Sequence, residues 1–192
     1  MTMLGLPVWA WAAAGAVLLA ALAYLAFVKL RQFRARKAID NVISSVAYDE
    51  LRNVLLTSGG QQTHINYLLL TQRGLLVIEL FDVPGVIFAG EKMEKWSVFG
   101  AKRHFTFTNP LPMLYDRVAA VRQIAGKVPV EGRIVFSMRG EFPKGQPDVV
   151  LRLDSLQEEF PVVDKSPGSA AAAFAPVWEQ IKAVAQPNPL AR

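Results

Sequence analysis

The sequence predicts a mixed α/β (α+β) domain, a mixed sheet flanked by helices, preceded by one N-terminal transmembrane helix. Three observations predict it. Residues 4–28 carry no charge. From Asp49 to Asn109, short apolar runs of strand length are separated by Gly, Thr and Asn. After Asn109 the pattern changes to a helix, a strand and further elements, an order that suits a sheet covered by helices.

The uncharged run "LGLPVWAWAAAGAVLLAALAYLAFV" is longer than the roughly 20 residues that span a bilayer as a helix. Trp9 and Trp11 near one end and Tyr24 near the other suit the two interfacial belts. A cleaved signal peptide needs basic residues before the run and a small-residue cleavage site after it. Here nothing basic precedes the run, and "KLRQFRARK" follows it. An uncleaved single span is expected, over residues 1–30, in an inner (cytoplasmic) membrane. The basic segment 31–37 sets the N-terminus outside and the C-terminal domain in the cytoplasm. Lys29, Arg31, Arg34, Arg36 and Lys37 face anionic lipid head groups in this reading. Ala12, Ala16 and Ala20 form a small-residue stripe in an alanine-rich run and read as filler.

The formal charge of +5 belongs to this segment. Five of the 21 basic residues lie in residues 1–37 with no acidic one, which leaves 16 basic against 16 acidic side chains in the rest. A neutral domain gives no electrostatic case for nucleic-acid binding. With no cysteine, disulfides, thiolate zinc sites and catalytic thiols are excluded. His64 and His104 lack ligand partners at useful spacing and read as surface or sheet-face residues.

In chain order, Ala38, Ile39, Val42, Ile43 and Val46 recur at helical spacing. "DELRNVLLT" predicts a first strand, ended by Gly59 and Gly60. "HINYLLL" and "LLVIELF" predict a hairpin around residues 71–74, and "GVIFAG" a short fourth strand. "KWSVFGAKRHFTFTN" predicts a second hairpin around Gly100, with Trp96, Val98, Phe105 and Phe107 on one face. Pro110 and Pro112 open a helix that Gly126 closes. "GRIVFSM" and "VVLRLDSL" predict strands. A terminal helix over residues 165–185 restarts at Pro176. The domain is expected to span residues 38–185, with 186–192 a flexible tail.

One feature carries chemistry. Glu79 closes an apolar strand, and the residue two places on shares its face. Metal-dependent cleavage of nucleic acid needs a hard divalent cation held by carboxylates, with a cationic side chain beside the attacking water. An Asp on one strand and Glu-x-Lys on the next supply this economically.

Residues 60–125 resemble the nuclease-related domain (NERD) family, a branch of the PD-(D/E)xK restriction-endonuclease-like superfamily. The resemblance rests on the hairpin "INYLLLTQRGLLVIELFDVPGVIFAG", on Gly74, Gly85 and Gly90, on Trp96, and on Asn109-Pro110. It implies a restriction-endonuclease-like mixed sheet and a nuclease site. The family's Asp falls on Asn66, its Glu is kept as Glu79, its Lys falls on Phe81, and its Gln after Asn-Pro falls on Met113. Asn66 brings no charge and Phe81 no donor. These departures favour a bland role for Glu79: a strand carboxylate paired with a Lys, an Arg or a backbone N–H. Asp82 points to the opposite face and cannot replace the missing groups. Lys92, Lys95 or Lys102 could swing in from a neighbouring segment.

The reading is therefore a membrane-anchored, catalytically inactive NERD-like domain without a cofactor. It binds a partner, with protein favoured over nucleic acid. The alternative is a tethered, Mg²⁺-dependent nuclease in which Glu79 holds the metal and a Lys has migrated. Phe81 is expected to fill the former cleft against Met113 or Leu114.

Overall fold

The computed structural model describes residues 8–101, 103–163 and 173–189, and the side chains of residues 8–10, 12–14, 16 and 17 lie outside the description. The chain divides into two units, Met1–Asp40 and Asn41–Arg192.

From Val8 on, the described residues of the first unit lie in helix α1, Val8–Ser45, whose last residues belong to the second unit. Apart from the half-buried Val28, the described apolar side chains from Leu18 to Phe33 are exposed on every side of the helix, Leu19 by 69 %. Among the described residues no helix is long and apolar enough to cross a membrane. Residues 4–7 of the run that predicted a span lie outside the described residues, as does the side chain of Trp9.

The second unit holds two mixed sheets. Strands β1 (Asp49–Ser58), β2 (Gln61–Thr71), β3 (Gly74–Phe81), β7 (Val130–Phe136), β9 (Val150–Arg152) and β10 (Ala185–Pro187) form the larger, in the order β10-β1-β2-β3-β7-β9. Its β10-to-β3 half is antiparallel, and β3, β7 and β9 run parallel. Strands β4 (Gly85–Phe88), β5 (Lys95–Phe99), β6 (His104–Thr108) and β8 (Gly140–Glu141) form the smaller, in the order β6-β5-β4-β8. Helix α2 (Leu111–Ala125) links β6 to β7. Helices α3 (Leu156–Glu159) and α4 (Ala175–Val184) follow β9.

The core explains this arrangement. Strand β3 is buried on both faces from Leu75 to Glu79, as a central strand next to a parallel partner should be. One face, Leu75 and Val77, joins Leu111, Leu114, Val118, Val121 and Ala125 of α2 in the main core. Those α2 residues recur at three- and four-residue spacing, so one stripe of the helix is apolar. Gly132 on β7 lets α2 come close: a Cβ there would lie 2.6 Å from Val118 Cγ2. Asn109 fixes the start of α2. Its Oδ1 accepts the Leu111 N–H at 2.9 Å, and its Nδ2 donates to the Glu91 and Met93 carbonyls at 3.1 and 2.8 Å.

Two expectations are corrected. "VVLRLDSL" is strand only over Val150–Arg152; Leu153 then turns inward, and a 3₁₀ turn leads into α3. The expected tail from 186 begins in a strand, because Leu55 pairs with Gln186 and Val54 with Pro187. Of the terminal helix expected over 165–185, residues 165–172 lie outside the described residues, α4 covers Ala175–Val184, and Ala185 already belongs to β10.

Candidate functional site

Strands β2 and β3 pair from Thr71/Gly74 to Tyr67/Ile78 and then separate. One further step in the same register sets Asn66 opposite Glu79. On the other side of β2 the β1 ladder also skips here. Arg52 pairs with Tyr67 and Val54 with Ile65, with no pair between them. Asn53, at the skipped step, has φ +48°, a left-handed conformation that Asn tolerates better than most residues. The pleat changes phase at this point. Leu51, Val54 and Leu56 of β1, and Ile65, Leu68 and Leu70 of β2, all reach the same core although strict alternation would separate them. Released from the ladder, the Asn66 backbone N–H turns to the Glu79 carboxylate.

Glu79 is only 4 % exposed. Its Oε2 meets Arg117 Nη1 of α2 in a buried ion pair, and the Arg117 side chain is itself 13 % exposed. Burial pushes the Glu79 carboxyl above the ordinary carboxylate range, while Arg117 and the Asn66 N–H pull the other way. His64 lies at the same place. Burial and the Arg117 charge both lower its pKa, and its Nε2 is buried without a protein hydrogen-bond partner. Glu79 Oε1 is buried likewise.

Phe81, one step along the same face, is half-buried against the main core. Its ring stacks on Phe136 at 5.4 Å and on Phe107 at 5.9 Å. The register places Phe81 beside Phe136, and Phe107 beside Trp96 in the smaller sheet. This aromatic stack therefore bridges the two sheets next to Glu79.

The nuclease-related domain matches residues 31–137, more than half of the 192-residue chain. The chain belongs to the NERD family. No curated protein and no solved structure matches it.

In this NERD domain the donor set does not fit a divalent cation. Glu79 is one carboxylate, already faced by a guanidinium. Asn66 adds a neutral side chain and Phe81 an aromatic ring. Among the described residues no three His, Asp or Glu side chains converge to hold a metal. Hard cations need several oxygen ligands, at least part of them anionic.

The other residues singled out in the sequence lie elsewhere. Met113 is 38 % exposed, Leu114 is buried in the core against which Phe81 packs, and the rings of Phe107 and Phe136 stack on Phe81. The physical reason is helical phase, since Leu111, Leu114 and Val118 turn into the core and Met113 turns out. Asp82 accepts from Ser137 Oγ at 2.6 Å and from Arg139 Nη1 at 3.1 Å, away from Glu79. Lys92 and Lys95 are exposed, and Lys102 lies outside the described residues. His104 stacks on Phe99 at 4.2 Å, on a sheet face as expected. His64 also lies on the sheet, half-buried on β2 two residues before Asn66, where the Arg117 charge reaches it.

The residue that sequence reasoning missed is Arg117. Its signal was present. It follows Leu114 by three residues and precedes Val118, so it borders the apolar stripe of α2. A charged residue there must reach out to solvent or find a buried partner.

Proposed function

We propose that this NERD domain binds a partner and does not cut nucleic acid, and that the N-terminal run holds it at a membrane. The observation that carries the reading is the buried Glu79–Arg117 pair. It places the protein's own cation against the one carboxylate that a metal would need. Phe81 adds an apolar stack where the family keeps a charged amine. The hairpin β2–β3 with β7 parallel to β3, and Glu79 where β2 leaves β3, support a restriction-endonuclease-like arrangement. A protein partner is favoured over nucleic acid because residues 38–192 balance 16 basic against 16 acidic side chains.

Membrane attachment is supported by the absence of charge in residues 4–28 and by the ring of exposed Leu, Phe and Tyr side chains on α1. A helix apolar on all sides needs an apolar surrounding. The basic cluster Lys29–Lys37 suits anionic head groups on the cytoplasmic side and orients the domain there.

The test is cleavage. Wild type and Glu79→Ala, as full chains in detergent, are incubated with single- and double-stranded DNA and RNA in Mg²⁺ or Mn²⁺. Equal, background rates are expected. Cleavage that needs the metal and disappears in Glu79→Ala would replace this reading with a tethered nuclease.

A further inference from the structure

Strand β6 ends the smaller sheet and has one neighbour, β5. Two backbone bonds fix the direction of its polar groups. The Gly100 N–H donates to the Arg103 carbonyl at 2.8 Å, and the Asn109 N–H donates to the Glu94 carbonyl at 2.9 Å. Hydrogen-bonded and non-hydrogen-bonded pairs alternate along an antiparallel ladder. Counting from either end, Val98/Phe105 and Trp96/Phe107 are hydrogen-bonded pairs, and Phe99/His104, Ser97/Thr106 and Lys95/Thr108 are not. The N–H and C=O groups of His104, Thr106 and Thr108 therefore point away from β5. All three residues are exposed.

An edge of this kind is normally blunted by charge, proline, a bulge or shortness. The other three sheet ends follow that rule. Strand β8 has two residues, β9 has three and ends on Arg152, and β10 has three and ends on Pro187. Strand β6 has five residues, no charge, no proline and an uninterrupted register with β5.

We propose that β6 is an interface between two copies of this chain, paired edge to edge and antiparallel about a two-fold axis through Thr106. A two-fold axis demands self-complementarity, and β6 has it. Thr106 meets the partner's Thr106, and His104 meets the partner's Thr108. In this register the outward donors and acceptors of all three residues find partners across the axis. On the face shared with Trp96 and Val98, Phe105 meets the partner's Phe107. Phe105 is 42 % exposed in the single chain. Aromatic and threonine pairs across strands are favourable, and like charges opposite one another are not. No charge in residues 104–108 meets its own copy, and Arg103 falls opposite the partner's Asn109. The contact joins two smaller sheets into one. The uncharged strand sets Thr on Thr, His on Thr and Phe on Phe across the axis with no like charges opposed, which favours a second copy as occupant.

The experiment uses the full chain in detergent micelles, with its mass followed by light scattering over a concentration series. Wild type and Thr106→Val should be dimers. Thr106→Lys sets two like charges on the axis. Thr106→Pro removes an outward donor that β5 does not use, so the β5–β6 hairpin keeps its own bonds. Both variants should weaken the dimer about tenfold or more, with circular dichroism unchanged. The chain has no cysteine, so Thr106→Cys carries a single thiol. A short bis-maleimide should link two copies of Thr106→Cys but not of Ser97→Cys, one strand inward. Any of three results overturns the proposal: a wild type that stays monomeric across the series, a dimer unchanged in both Lys and Pro variants, or Ser97→Cys linking as well as Thr106→Cys.

Discussion

Arg117 and Glu79 hold each other where neither charge would be tolerated alone. Removing one partner of a buried ion pair leaves the other uncompensated, at a cost of about 3–5 kcal/mol. Arg117→Met should lose stability of this size in urea unfolding. The double variant Arg117→Met/Glu79→Leu should recover most of it, because apolar replacement of a whole buried pair is close to neutral. Equal loss in single and double variants would mean that the pair is not coupled. The pH dependence has a definite sign. Burial raises the Glu79 pKa above its ordinary 4.5, so the folded chain holds this proton more tightly than the unfolded one. The stability from this group is complete below about 4.5 and declines as pH rises through the raised value. The melting temperature of wild type should therefore fall relative to Glu79→Gln between pH 4.5 and neutrality. A rise would show that Arg117 outweighs burial. Phe81 is half-buried on two rings, so Phe81→Ala should cost less than the full 3–5 kcal/mol of a core Phe, about 1–3 kcal/mol. No measurable loss would free the ring for a contact surface. At this scale the sequence disclosed Glu79 and its missing companions. It did not disclose that the companion cation comes from α2, because the contact joins residues 38 positions apart in the chain through packing alone.

The elements that position this pair are α2 and the β2–β3 hairpin. Helix α2 sits close to the sheet because β7 has Gly132 under it. Gly132→Ala puts a methyl group 2.6 Å from Val118 Cγ2, so either the Val118 side chain or the helix must shift. The expected cost is about 1–3 kcal/mol, read by thermal unfolding. An unchanged midpoint would show that Val118 simply turns aside. The long elements were legible, since alternation over β2 and β3 and the apolar stripe of α2 span enough residues to set a period. Strands β8 and β10 were not, with two and three residues and partners distant in sequence. The change of pleat phase at Asn53 and Asn66 was also hidden. It depends on two strands losing the same step together, and each strand's own sequence still reads as a simple run.

For the whole molecule, the uncharged run, the basic cluster and a neutral domain describe a chain sorted by charge along its length. That order predicts a topology. A reporter active only outside the cytoplasm, fused after Arg192, should be silent, and the same reporter fused before Met1 should be active. The opposite pattern would contradict the orientation. At the site itself the proposal is that Arg117, and not a metal, neutralises Glu79. Titration calorimetry of Mn²⁺ into the full chain tests it most directly, with Glu79→Ala as the comparison. The two titrations should superimpose, with no saturable heat that depends on Glu79. Saturable Mn²⁺ binding by wild type that vanishes in Glu79→Ala would contradict it.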